Sequence, residues 1–193
     1  MLKKLIIKAC NPWVIFHVPA VIMLFMLCWD YTLCKKLTSY SGYFALAFFV
    51  TTLLLNPLKS FKPKWVWVIK LNRYRRQLGV ASFSYVLIHL TCFVIKRIID
   101  GFLQGLVYFL HPAIILAFFI AFPIMLMLAV TSNNYFVKKL SFAKWKRLHK
   151  TVYIAELAIM VHIVLMGNLR LVLFLFIPLC FLQFMRRKKS KTF

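Results

Sequence analysis

Long apolar runs alternate with short polar connections along the chain. Six runs are each about 17–25 residues long, which is the length that crosses a hydrocarbon core of about 30 Å as a helix. They cover residues 13–30, 41–58, 78–95, 112–131, 150–167 and 168–185. The pattern predicts an all-α fold, an integral membrane bundle of about six transmembrane helices within a single domain over residues 1–193. These helices are called the first to the sixth membrane helix below.

Composition supports a lipid-facing protein. Apolar residues make up 63% of the chain, against roughly 45–50% in ordinary soluble domains. Only three acids, Asp30, Asp100 and Glu156, stand against 26 lysines and arginines, and the net charge is +23. A charge of this size is also found in nucleic-acid-binding proteins, which neutralise phosphates. The distribution of the charge along the chain distinguishes such a protein from a membrane protein.

The basic residues are concentrated in alternate connections. Twenty-one lie at the N-terminus, in the second and fourth connections and in the tail, and five lie in the other three connections. The positive-inside rule therefore predicts that both termini and the two long basic loops are cytoplasmic. The charge is read as a topology signal with attraction to anionic membrane lipid, and no nucleic-acid partner is expected.

Two of the five histidines match in depth. His89 lies 13 residues beyond Arg76, and His162 lies 13 residues beyond His149, in each case about 20 Å along a helix axis. The third and fifth helices both start on the predicted cytoplasmic side, so His89 and His162 reach one level in the outer half of the membrane. Two imidazoles that face each other in a bundle core commonly ligate haem iron. No Cys-x-x-Cys-His pattern occurs, so coordination alone would hold the haem.

His149 has two interpretations, because it lies at the inner boundary and level with Arg76. In one, it ligates a second haem while Arg76 pairs with a propionate, since a guanidinium does not deprotonate to bind iron. In the other, it anchors a propionate or helps an electron donor to dock. On an ideal helix His149 and His162 point about 140° apart, so a tilt or bend would be needed for both to face one core.

Four stretches resemble a known family. They are Ser41–Leu46 running to Asn56-Pro57-Leu58, Arg75–Gly79 followed by Leu87-Ile88-His89-Leu90, Thr131-Ser132, and Trp145-Lys-Arg-Leu-His149 with Tyr153 and His162. The chain resembles the MsrQ (YedZ) family over residues 13–185. These are haem-binding membrane subunits of the MsrPQ methionine sulfoxide reductase system, within the wider ferric-reductase-like transmembrane group.

The resemblance implies a function. It assigns His89, His149 and His162 as haem ligands and Arg76 as a cofactor-binding residue, with one or two haem b per chain and with FMN and quinone as further candidate cofactors. Electrons would come from the quinone pool or a cytoplasmic flavin reductase. They would leave for MsrP, the periplasmic molybdopterin enzyme that reduces methionine sulfoxide in oxidised proteins, and the chain would lie in the bacterial inner membrane. Sulfoxide chemistry itself is not expected in this chain, which makes it an electron-transfer subunit.

Two residues depart from the family pattern. His111 stands before Pro112 where Arg-Pro is expected, and it is interpreted as an outer-interface residue and not as a ligand. Glu156 stands where an apolar residue is expected. An acid inside a membrane helix is a functional candidate, either as a proton acceptor in quinone chemistry or as a protonated, hydrogen-bonded member of the bundle.

Two other classes of protein remain open. A ferric reductase or oxidase-type cytochrome would act on a small acceptor. Such proteins normally carry two histidines on each of two helices and a fused flavin and nicotinamide domain, whereas the third helix here offers only His89. A haem-free transporter or assembly factor would predict neither matched histidine depths nor the Trp145–Tyr153 motif.

Overall fold

The computed structural model describes the backbone of residues 11–189, and the side chains of that range apart from residues 102–105 and 189. The lysines near the N-terminus that entered the charge count lie outside the described residues. Within them the chain is helical and has no strand, and six helices are long and apolar enough to cross a membrane. These are Pro12–Trp29, Tyr31–Phe61, Arg75–Ile99, Pro112–Val130, Phe142–Leu165 and Leu169–Lys188. The chain is a multi-pass membrane protein, as the apolar runs predict.

The second membrane helix starts earlier than its apolar run. A 3-10 turn at Tyr31–Leu33 leads directly into the α-helix Cys34–Phe61, and the exposed Lys35 is part of that helix. A long basic side chain at a helix end can reach the headgroup region, so its charge does not end the helix. The connection from the first helix is capped by Asp30, whose carboxylate accepts the Thr32 hydroxyl at 2.7 Å and the Thr32 N–H at 2.8 Å. These bonds lower the pKa of the Asp30 carboxyl below its ordinary value.

Two membrane helices contain a π-helical turn. In the fourth helix, Pro112–Leu116 continues through the π turn Ala117–Ala121 into Phe122–Val130. In the sixth, Leu169–Leu171 continues through Val172–Phe176 into Ile177–Lys189. Each π turn ends two residues before a proline, Pro123 or Pro178. A proline lacks the N–H that a regular turn needs and its ring crowds the preceding turn, so a wider turn accommodates it.

The helices form two compact units. The first contains the chain up to Ile99 and from Leu182 onward, and the second contains Asp100–Phe181. Three short helices connect the membrane helices: Val66–Arg73, Phe102–Phe109 and Asn134–Leu140. In the first of these, Val68 is fully buried while Trp65 and Trp67 are exposed. Exposed tryptophans beside a buried apolar side chain are typical of a segment at headgroup level.

In the first unit, the third helix bonds to main-chain carbonyls of the antiparallel second helix at regular intervals. Arg75 Nε donates to Thr52 O at 3.1 Å. Ser82 Oγ donates to Ala45 O at 2.8 Å. His89 Nδ1 lies 2.8 Å from Thr38 O. Donors and acceptors are both spaced by seven residues, or two turns, which is the repeat of coiled-coil packing. We call these three bonds the heptad seam.

Tyr85 joins the first helix to this pair. Its side chain is fully buried, and its hydroxyl donates to Phe16 O at 3.0 Å. Its ring lies nearly parallel to those of Phe44 and Phe48, with centroids 5.2 and 5.4 Å away. The hydroxyl is thus satisfied within the apolar core, as a buried phenol requires.

Removing the middle bond of the heptad seam should destabilise the protein. For Ser82→Ala we expect a loss of about 0.6 kcal/mol, the average for interhelical hydrogen bonds in membranes. Ser84→Ala is the matched control, because the Ser84 hydroxyl bonds only within its own helix, to Val80 O at 3.2 Å. Equilibrium unfolding in mixed micelles measures both. Equal stabilities of the two variants would show that the seam bond contributes nothing.

Candidate functional site

The first candidate ligand, His89, is the last donor of the heptad seam along the third helix. It is half-buried, and its Nδ1 lies 2.8 Å from the Thr38 carbonyl oxygen. A carbonyl only accepts hydrogen bonds, so Nδ1 must carry the proton. In the neutral ring Nε2 is then the unprotonated nitrogen, the one with a lone pair for a metal.

The second candidate ligand, His162, has the same setting within the second unit. It lies on the fifth helix, in the α-helical part Val152–Leu165. Its Nδ1 is 2.9 Å from the carbonyl oxygen of Ala113, in the first turn of the fourth helix. The same argument leaves the lone pair on Nε2. Ala113 has no exposed surface, which fits the close approach of the two helices at this point.

Both imidazoles therefore meet the chemical requirement for axial haem ligation. A ligating histidine commonly donates its second ring N–H to a carboxylate, carbonyl or water, which fixes the tautomer and the ring orientation. Here the acceptors are main-chain carbonyls of neighbouring helices, Thr38 for His89 and Ala113 for His162. Neither acceptor could be predicted from the sequence, because every residue has a carbonyl.

His149 lies in a different setting. Its Nε2 is 3.3 Å from the hydroxyl oxygen of Thr131. That hydroxyl donates its hydrogen to Met127 O at 2.7 Å, so it accepts from His149 and Nε2 carries the proton. For His149 to ligate through Nε2, as the other two histidines are poised to do, its ring would have to turn away from Thr131.

Trp145 bonds to the same residue as His149 does, namely Thr131. Its indole N–H donates to Thr131 O at 2.9 Å, and its ring centroid is 4.0 Å from that of His149. The Trp-x-x-x-His spacing of the sequence motif thus packs two rings together at an interplanar angle of 33°, and both residues bond to Thr131. The motif's role here is to position His149.

The fifth helix is not ideal at His149. It begins at Phe142, not near residue 150 as predicted, and residues His149–Thr151 form a 3-10 turn. Such a turn advances about 120° per residue instead of about 100°. With three steps of about 120° and ten of about 100°, ideal geometry reduces the angle between His149 and His162 from about 140° to about 80°. This turn supplies much of the bend that the sequence requires if both rings are to face one side.

The structure also describes Arg76, Glu156 and the other two histidines. Arg76 is half-buried in the first turn of the third helix, and Glu156 is buried in the fifth helix. His111 is exposed and caps the fourth helix, because its Nδ1 accepts the Ala113 N–H at 3.2 Å. His17 bonds within the first helix, to Trp13 O at 2.7 Å. No group of three or more histidine, cysteine or acidic side chains suited to a metal ion occurs among the described residues.

The family model described as "Ferric reductase like transmembrane component" matches residues 41–160. This range includes Arg75, Ser82 and His89 of the heptad seam and the Thr131–Trp145–His149 contacts. It begins three residues after Thr38, the acceptor of His89, and it ends two residues before His162. The chain belongs to this family. No solved structure gives a significant match.

Curated relatives are more specific in name. The chain is 34% identical over 128 residues to the "Protein-methionine-sulfoxide reductase heme-binding subunit MsrQ" of Brucella ovis, Brucella canis and Brucella abortus. The match covers 63% of this chain and 52% of each relative, so the chain spans about half the length of the curated relatives it matches. The resemblance to MsrQ seen in the sequence is confirmed.

The hydrogen bonds predict distinct tautomers for the histidines. In haem-free protein with ¹⁵N-labelled histidine, at a pH where the rings are neutral, His89 and His162 should be protonated at Nδ1 and His111 at Nε2. Each ring follows its partner, a carbonyl acceptor in the first two cases and an N–H donor in the third. Solid-state NMR distinguishes the two nitrogens by chemical shift, and single His→Gln variants assign the signals. A protonated Nε2 at His89 or His162 would contradict the geometry.

Proposed function

We propose that this chain is a haem b electron-transfer subunit of a bacterial inner-membrane methionine sulfoxide reductase system. It takes electrons from the quinone pool or a cytoplasmic flavin reductase and passes them to a periplasmic molybdopterin reductase of the MsrP type. The observation that carries this proposal is the shared setting of His89 and His162, each of which gives its Nδ1 proton to a main-chain carbonyl. The similarity to haem-binding MsrQ subunits supports it.

His89 and His162 are the proposed haem ligands, and they are paired because the sequence sets them at one depth. Each lies close to one end of its own helix pair. The acceptor of His89 is four residues from the start of the second helix at Cys34, and the acceptor of His162 is one residue from the start of the fourth at Pro112. Four residues span about 6 Å. By the predicted topology both ends are periplasmic, so the redox centre would lie near the acceptor.

The bound haem supplies one-electron transfer, and the protein supplies ligation and surroundings. Two imidazole ligands would suit the bound group to electron transfer and not to binding a substrate. The chain's own task is to hold two neutral rings in fixed orientation. Methionine sulfoxide is then reduced by the partner enzyme and not by this chain.

His149 and Arg76 are proposed to serve the cytoplasmic side. His149 ligates a second haem after its ring turns, or anchors a propionate, and Arg76 pairs with a propionate. The basic cytoplasmic connections attract an acidic electron donor or the phosphate of FMN.

Haem loading tests the ligand assignment directly. We expect the purified protein to show a low-spin b-type reduced-minus-oxidised spectrum, and His89→Ala and His162→Ala to lose it, because each removes an axial ligand. His111→Ala is the matched control, since that ring only caps a helix end. Pyridine haemochrome quantification gives haem per chain. Absence of b-type haem in the wild-type protein, or a retained low-spin spectrum in both variants, would refute the proposal.

The haem count decides the role of His149. If it ligates a second haem, His149→Ala should lower haem per chain from about two to about one and leave the His89–His162 signal unchanged. If it is an anchor, haem per chain should remain at one. EPR at low temperature separates the two low-spin signals. Loss of all haem in this variant would contradict both interpretations.

A membrane cytochrome that reduces a small acceptor is the second candidate, and the family description favours it. The two functions differ in where electrons leave. The dithionite-reduced protein should be reoxidised by an oxidised MsrP-type enzyme and not by a ferric chelate. Rapid reoxidation by ferric citrate alone would favour the second candidate.

A further inference from the structure

We infer that Gly42 is a positioning residue for the haem ligand His89. The inference rests on the proposed function, because it assumes that His89 binds haem. Its basis is a close approach in the first unit, between the second helix and the imidazole that projects from the third.

The ring of His89 occupies the space that a side chain at residue 42 would need. A Cβ built on Gly42 would lie 3.0 Å from Nδ1 and 3.2 Å from Cε1 of His89. Both distances are shorter than an ordinary carbon contact of about 3.5–4.0 Å. Any side chain at this position would push the ring by at least a few tenths of an ångström.

The displaced atom is the one that orients the ring. Nδ1 donates to Thr38 O at 2.8 Å, and Thr38 is one turn before Gly42 on the same helix. The approach to this carbonyl therefore passes directly over residue 42. A ring moved away from the helix lengthens the hydrogen bond and rotates Nε2 out of its present direction.

Hydrogen bonds hold the second helix in place around Gly42. Ser41 is fully buried. Its hydroxyl donates to Leu37 O at 2.6 Å, and Thr38 O lies 3.1 Å from the same hydroxyl oxygen. Thr38 itself donates to Cys34 O at 2.7 Å. The helix is also bonded to the third helix at Ala45 and Thr52. The ring, and not the helix, is the part that must move.

Gly79 provides a matched comparison in the same helix pair. A Cβ on Gly79 would meet only Thr52 Cγ2 at 3.8 Å, an ordinary contact. Replacing either glycine by alanine brings the same gain in helix propensity. The two substitutions therefore differ in what the new methyl group touches.

The experiment compares Gly42→Ala, Gly79→Ala and His89→Ala. Changing the hydrogen-bond partners of a metal ligand typically weakens metal-site affinity 10–100-fold. We expect a loss of haem affinity of that size in Gly42→Ala, together with changed low-spin g-values and a shifted midpoint potential. Gly79→Ala should match the wild type in all three. Unchanged g-values, potential and affinity in Gly42→Ala, with haem lost in His89→Ala, would overturn this inference and leave the proposed function intact.

Stability without haem gives an independent readout. Gly42→Ala should lower the thermal midpoint of the haem-free protein when His89 is present. In a His89→Ala background it should leave the midpoint unchanged or raise it, because the methyl group then meets no ring. Equal effects in both backgrounds would show that residue 42 does not act through His89. If His89→Ala keeps a wild-type haem spectrum, the assignment of His89 as a haem ligand fails whatever the coupling.

Discussion

The register between the second and third helices determines where the candidate ligand His89 lies. In lipid, apolar side chains gain little by turning from acyl chains to each other, so close packing and hydrogen bonds hold helices together. The heptad seam provides such bonds at Arg75, Ser82 and His89. Its two-turn spacing keeps all donors on one face. Because a slip of one residue rotates this face by about 100°, the bonds form together or not at all. The depth and direction of His89 are thus consequences of helix packing.

Main-chain carbonyls suit this task in a membrane. A carboxylate could orient an imidazole as well, but a charged group inside lipid is costly. The chain has only three acids, and His89 and His162 both use carbonyls instead. A carbonyl that already accepts a helical hydrogen bond has a second lone pair to offer. The cost is steric, because the ring must approach the helix backbone closely, and small residues at the contact allow this.

Much of the fold follows from the sequence, and its details do not. Hydropathy predicts six membrane helices because lipid requires each span to satisfy its own backbone. The bounds shift where tertiary structure decides, as at Cys34, which begins a helix that continues through the basic residues Lys35 and Lys36. The equal spacing of Arg75, Ser82 and His89 was present in the sequence. The spacing could not be recognised as a set of bonds between helices, because the partners are main-chain carbonyls, which residue identity does not reveal. The bonds of Trp145 and His149 to Thr131 join residues 14 and 18 positions apart, so no local pattern predicts them.

The three histidines therefore fall into two classes. His89 and His162 are held with Nε2 unprotonated, so a metal would bind them without breaking a hydrogen bond between the ring and its orienting carbonyl. His149 gives its Nε2 proton to Thr131, and ligation through that nitrogen would first have to break this bond. On ideal geometry its 3-10 turn brings the ring about 60° nearer to the direction of His162, which favours a common face. The bond to Thr131 would still have to break. A site that must rearrange before it binds has lower affinity than one already formed. A haem ligated through Nε2 of His149 would therefore be the weaker bound of two.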